Sequence, residues 1–133
     1  MYRFVDHTAE IELELEANSA EGVLEEALRA FAELVEEAEN GDRAGEAVER
    51  PVDIAASDLA GLLAAWFDEL LFLADAERLV PESAELSISG ARATGILRAR
   101  RSEPRPLVKA VTLHRLRFRA EDGVWRARVV LDV

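Results

Sequence analysis

The sequence predicts an α+β domain, a mostly antiparallel sheet of about six to seven strands with two helices packed on one face. Three observations carry that prediction. Residues 11–17 alternate strictly between apolar side chains and glutamates, the period of a half-buried strand. Two segments, near 20–38 and 58–73, repeat apolar residues at helical spacing. In the C-terminal third, two apolar-rich runs flank Glu121-Asp122-Gly123, and Asp-Gly between such runs is a strong hairpin signal.

In chain order, residues 2–5 form a short apolar run. The alternating strand follows, with Ile11, Leu13, Leu15 and Ala17 on one face and Glu12, Glu14 and Glu16 on the other. Asn18 and Ser19 are candidate N-caps, and Asn18-x-x-Glu21 reads as a capping-box variant. Val23, Ala27, Phe31, Leu34 and Val35 then give the first helix its apolar stripe, and Asn40-Gly41 opens a loop over 40–47. Residues 49–55 read as a strand in which Pro51 favours an edge. Ser57 or Asp58 caps the second helix, whose stripe of Leu59, Leu62, Leu63, Trp66, Phe67, Leu70 and Leu71 is wide enough for a central position. Trp66 and Phe67 are read as core packing rather than as a ligand pocket. Residues 84–89 and 93–100 alternate and pair as a hairpin around 89–92. Runs at 107–120 and 124–133 make the last hairpin.

The 133 residues, half of them hydrophobic, amount to a single domain over 1–133, long enough to bury roughly two-thirds of its unfolded surface. No apolar run reaches the ~20 residues a bilayer crossing needs, and the first residues hold no stretch of signal-peptide length, so a cytoplasmic protein is expected. The absence of cysteine excludes disulfides, thiolate metal sites and a cysteine nucleophile.

The net charge of -11 is unevenly spread. Residues 1–58 carry 17 acids and 4 bases, whereas 92–133 carry 4 acids and 11 bases. The acidic average argues against direct RNA binding as the main function, because phosphate contacts need Lys and Arg. Fifteen of the bases are arginine and one is lysine, Lys109.

A two-residue turn at Asp122-Gly123 sets a register for the last hairpin. One face then carries Ala120–Trp125, Phe118–Ala127, Leu116–Val129, His114–Leu131 and Thr112–Val133. The other carries Arg119–Arg126, Arg117–Arg128, Arg115–Val130 and Leu113–Asp132. Arg115, Arg117, Arg119, Arg126 and Arg128 therefore share one face. Like charges directly opposite are unfavourable, so the face needs acids beside it. The Glu12/Glu14/Glu16 ladder is the internal candidate, and a partner or RNA is the external one. In this register His114 points to the core, and Lys109 lies too far along the strand to pair with Asp132.

Candidate chemistry concentrates at two places. Asp6-His7-Thr8-Ala9-Glu10 offers two carboxylates and an imidazole between apolar segments, suited to a divalent metal, to acid–base work, or simply to turn hydrogen bonding. Asp132 interrupts an apolar strand, where a carboxylate is costly unless exposed or paired. Oxygens from Asp132, Val133 and an N-terminal acid suit a hard cation, and exposure at a chain end is the plainer alternative. No phosphate-binding glycine loop, H-E-x-x-H or G-x-S-x-G motif is present.

Four segments together resemble the archease family. Phe4-Val5-Asp6-His7-Thr8-Ala9-Glu10-Ile11 is similar to its F-x-D-H-T-A-D-[IV] opening, and Val108-Lys109-Ala110-Val111-Thr112-Leu113-His114 to its V-K-A-[VI]-T-[YFW]-H segment. Leu62-Leu63-x-x-Trp66-Phe67-x-Glu69-Leu70-Leu71 resembles its L-L-x-x-W-L-x-E-L-L helix, and Trp125 with the closing Val130-Leu131-Asp132-Val133 resembles its C-terminal W and D-[VI]. The anchors keep the family's order and cover nearly the whole chain. The resemblance implies a protein cofactor and not a stand-alone enzyme. It would promote guanylylation and multiple turnover of an RtcB-type RNA ligase in tRNA splicing or RNA repair. The resemblance also admits a chaperone of a tRNA methyltransferase. A small metal-dependent hydrolase built on Asp6, His7, Glu10 and Asp132 is a further alternative. The family's divalent-cation site (Ca2+, Mg2+ or Mn2+) maps onto Glu10, Asp132 and Val133, and its motif residues onto Asp6, His7 and Lys109. The chain carries Glu10 where the family usually has Asp, Leu113 in place of an aromatic, and Arg100-Arg101 near the family's Gly-Glu.

Overall fold

The computed structural model of the chain describes residues 1–6, 10–36, 45–105 and 108–133. Seven strands and two helices follow in the order β1 (Tyr2–Asp6), β2 (Glu10–Ala17), α1 (Ala20–Val35), β3 (Ala47–Ala55), α2 (Leu59–Glu77), β4 (Leu79–Ser89), β5 (Arg92–Arg101), β6 (Ala110–Glu121) and β7 (Val124–Asp132). The α+β class and the strand count are as expected, but the single expected sheet is two in the structure. The strands divide between two sheets, ordered β1-β2-β7-β6 and β3-β5-β4, and every pairing is antiparallel. Residues 7–9, 37–44 and 106–107 lie outside the described residues, and with them His7, the Asn40-Gly41 helix end, most of the expected 40–47 loop and the start of the 107–120 run.

Local chemistry sets the helix ends. Ser19 is the N-cap of α1, and its hydroxyl accepts from the Gly22 amide at 2.9 Å. The cap is therefore one residue later than Asn18. Asp58 caps α2 the same way, accepting from Gly61 N at 2.7 Å. Helix α2 runs on to Glu77 and stops at Arg78, which takes a left-handed conformation at φ 54°. Pro51 lies on β3, an edge strand, the place in a sheet where proline is tolerated.

One core joins both sheets and both helices. Leu13 and Leu15 of β2, Val129 and Leu131 of β7, and Ala93 and Leu97 of β5 all point into it. Trp66 and Phe67 are fully buried there, as the helical stripe indicated. The Trp66 indole N–H donates to the Leu24 carbonyl at 2.9 Å and so ties α2 to α1, while Phe67 meets Phe31 edge-on with centroids 6.5 Å apart. Among the described residues no helix is long and apolar enough to cross a membrane.

The last hairpin departs from its uniform register. From the turn to Arg117 the pairing is as expected: Ala120↔Trp125, Arg119↔Arg126, Phe118↔Ala127 and Arg117↔Arg128. Asp122 and Gly123 both have positive φ, 52° and 79°, as a type I′ turn requires. Beyond Arg117 the ladder shifts, and the next pairs are Thr112↔Val130, Val111↔Leu131 and Ala110↔Asp132. Three residues of β6 are left over. The strand lengths show the same mismatch, 12 residues in β6 against 9 in β7. Because three is odd, the excursion also reverses parity. Even-numbered β6 residues face the core near the turn, and odd-numbered ones do so near Ala110. His114 is consequently exposed and not in the core, and Arg115 and Leu113 do not stand opposite Val130 and Asp132.

Candidate functional site

The outer face of the four-stranded sheet has a graded chemistry that follows from register. One row across the strands reads Arg3, Glu14, Arg128, Arg117. The next reads Val5, Glu12, Val130, Thr112. The last reads Glu10, Asp132, Ala110. The sheet is thus arginine-rich toward the β6–β7 turn and acidic at the opposite end.

In the arginine-rich part the internal acids do face the bases. Arg126 reaches Glu16 and Glu121, each at 3.6 Å, and Arg119 reaches Glu121 at 2.5 Å. Arg128 lies 3.8 Å from Glu12 and 4.0 Å from Glu14, and Arg3 bonds Glu14 from β1. The bond from Arg119, helped by nearby Arg126 and Arg117, holds the Glu121 carboxyl below its ordinary range. Arg117 stands opposite Arg128 and has no ion pair among the described residues. The glutamate ladder therefore neutralises most of the arginine face.

The sequence pattern named Glu12 within the ladder that partners the arginines, but not as a buried group. Glu12 is 7% exposed, the one buried charged or polar residue in the described core. Its Oε1 lies 3.7 Å from Arg115 and 3.8 Å from Arg128 and accepts no hydrogen bond. Arg115 lies within the β6 excursion, at φ 59°.

The acidic end gathers most of the sequence-predicted site. Glu10 opens β2 and Asp132 closes β7, and the two are directly paired. Among the described residues neither carboxylate receives a hydrogen bond or an ion pair. The Lys109 amide donates to the Asp132 carbonyl at 2.8 Å. The uniform register had separated Lys109 from Asp132, and the excursion removes three residues from the ladder and brings them together. Buried Val108 anchors this approach in the core. Asp6 ends β1 opposite Ile11, one position from Glu10, and Val133 follows Asp132. His7 lies outside the described residues. No group of three or more His, Cys, Asp or Glu side chains is placed to hold a metal among the described residues. The two facing carboxylates are an all-oxygen donor pair that suits a hard cation, and their mutual repulsion is what such a cation would relieve.

These features define a class: a small two-sheet α+β domain whose four-stranded sheet ends in facing carboxylates beside a lysine segment. The archease protein family model (MTH1598/TM1083) matches residues 2–133, and the chain belongs to that family. It is 32% identical over 140 residues to protein archease of Archaeoglobus fulgidus, covering 99% of this chain and 98% of that one. It is 33% identical to protein archease of Methanothermobacter thermautotrophicus at the same coverage. The solution structure of Methanobacterium thermoautotrophicum protein 1598 superposes with a TM-score of 0.74 at 31% identity, covering 99% of this chain and 98% of that one. The crystal structure of a Thermotoga maritima archease, described as a possible chaperone, gives a TM-score of 0.65 at 25% identity over 97% of this chain and 94% of that one.

Proposed function

We propose that this chain is a protein cofactor of an RtcB-type RNA ligase, promoting its guanylylation and turnover in tRNA splicing or RNA repair, and is not itself an enzyme. The observation that carries the reading is the convergence at one sheet end of Glu10, Asp132 and the Lys109 segment, three motif positions far apart in sequence. In this reading Glu10, Asp132 and Val133 would hold a divalent cation (Ca2+, Mg2+ or Mn2+), which would supply the positive charge that offsets the two facing carboxylates. Lys109 then borders a surface offered to the ligase, and Asp6 and His7 are the further motif positions assigned to activation. The test is a ligation assay with the ligase of the same organism under conditions where the ligase alone is slow. Added wild-type protein raises the guanylylated fraction and the turnover number, and Asp132→Ala diminishes both. Unchanged turnover with the wild type sinks the reading.

The description of the Thermotoga relative as a possible chaperone favours one second reading, a chaperone of a tRNA methyltransferase. Affinity purification from the source organism separates the two, because a different enzyme co-purifies at near-stoichiometric yield in each case.

A further inference from the structure

We propose that the Leu113-His114-Arg115 excursion of β6 is a docking knob, with Leu113 entering an apolar socket bordered by carboxylates on a partner protein. The partner's identity as the RNA ligase rests on the reading above. Leu113 is 76% exposed, more than any other large hydrophobic residue described, including Phe72 on α2 and Ile96 on β5. A regular β6 would pair these positions with β7, and the three extra residues push the side chain out of the ladder.

Local contacts constrain the excursion. The His114 amide donates to the Thr112 hydroxyl at 3.1 Å, Arg115 sits in the left-handed region, and its guanidinium lies 3.7 Å from the buried Glu12 carboxylate. Backbone outliers that the surroundings enforce concentrate at functional places, and a pre-shaped knob loses little ordering entropy on binding.

The cations exposed along the same strand select the partner's chemistry. Lys109, Arg115, Arg117 and Arg119 are all exposed on or beside β6, in a chain of net charge -11. Glu121 is the strand's one acid and is engaged by Arg119. Lys109 and Arg117 have no ion pair among the described residues. An apolar centre with a cationic rim complements an apolar socket with an acidic rim. A phosphate backbone would use the guanidinium groups but leave Leu113 in water, whereas an apolar socket with an acidic rim uses both.

Calorimetric titration of the full chain into the ligase of the same organism tests this, beside the guanylylation assay and a thermal melt. Leu113→Asp should weaken binding about tenfold or more and Leu113→Ala less, with unchanged melting curves because the site is exposed. Arg117→Glu should slow association and flatten its salt dependence. If the wild type binds and activates while Leu113→Asp binds equally well, the knob is overturned and the ligase reading stands. If the wild type neither binds nor activates, the ligase reading falls, and the assigned occupant with it. If labelled tRNA binds the wild type and loses affinity in Leu113→Asp, the surface is an RNA site and the protein socket is wrong.

Discussion

Glu10 and Asp132 stand directly opposite one another across the β2–β7 ladder, and no cation among the described residues reaches either. Facing like charges cost roughly 0.2–1 kcal/mol in a sheet. Asp132→Asn should therefore be slightly more stable than the wild type in chelator. Added Ca2+ should reverse the order. A ligand at about 100 times its dissociation constant stabilises by roughly 2.7 kcal/mol, so the wild-type melting temperature rises with Ca2+ and that of Asp132→Asn does not. Identical Ca2+ responses in the two proteins would remove the cation from this site.

Glu12 makes a different prediction, since its carboxylate is buried with two guanidinium groups at 3.7 and 3.8 Å and no hydrogen bond to Oε1. Desolvation offsets much of the attraction in such a site, and replacing a buried ion pair with an apolar group of similar size is often neutral or stabilising by about 1–4 kcal/mol. Arg115 and Arg128 are both partly open to solvent and can rehydrate. Glu12→Met should hold or raise the denaturation midpoint while unpinning the excursion. Amide exchange at His114 and Arg115 should quicken although global stability does not fall. A loss of several kcal/mol would show instead that Glu12 is a net contributor to the fold.

The architecture and the site were unequally legible in the sequence. Period-2 and helical repeats located the elements because burial of one face is written into residue order. The Asp-Gly turn likewise set the four rungs from Ala120 to Arg117. The excursion was not legible, because a uniform register already separated arginines from apolar residues, and nothing in the alternation penalised it. What it could not satisfy was the placement of Leu113 and His114, one apolar side chain opposite Asp132 and one imidazole in the core. Both conflicts vanish when three residues leave the ladder. Burial of Glu12 was hidden for a related reason: one of its two arginine partners, Arg115, lies in the excursion.

Gly95 on β5 is a position where a single methyl group cannot be accommodated. Its φ is +154°, and an added Cβ would lie 1.9 Å from the Glu85 carbonyl oxygen and 3.1 Å from Leu86 Cα. Both neighbours are backbone atoms of the paired strand β4, so relief requires parting the β4–β5 ladder. Gly95→Ala should cost roughly 3 kcal/mol through that overpacking. Gly90 is the control, because it lies in the turn of the same hairpin at φ +60° with nothing within 4 Å of an added Cβ. Gly90→Ala should cost about 1 kcal/mol, the conformational term alone. Denaturant unfolding of the two variants checks the difference, and equal losses would mean that the close approach is relieved without disturbing the sheet.

Tyr2, the chain's one tyrosine, provides a titration that reads a single contact between β1 and α1. Its hydroxyl donates to the Glu33 carboxylate, and that bond, with burial and the Glu33 charge adding to it, pushes the phenol from 10.0 up to about 12. Ionising the phenol would remove the donated proton and place two negative charges together. A folded-state pKa above the unfolded one means that the contact's stabilisation is fully present below pH 10 and is lost as pH rises through about 12. Phenolate absorbance, which has no contribution from a second tyrosine, should show a midpoint near pH 12 in the native protein. Glu33→Ala should return the midpoint toward 10 without disturbing the core, since Glu33 is on the exposed side of α1. An unmoved midpoint in Glu33→Ala would assign the shift to burial of the ring, and a wild-type midpoint near 10 would mean that the β1–α1 contact does not persist in solution.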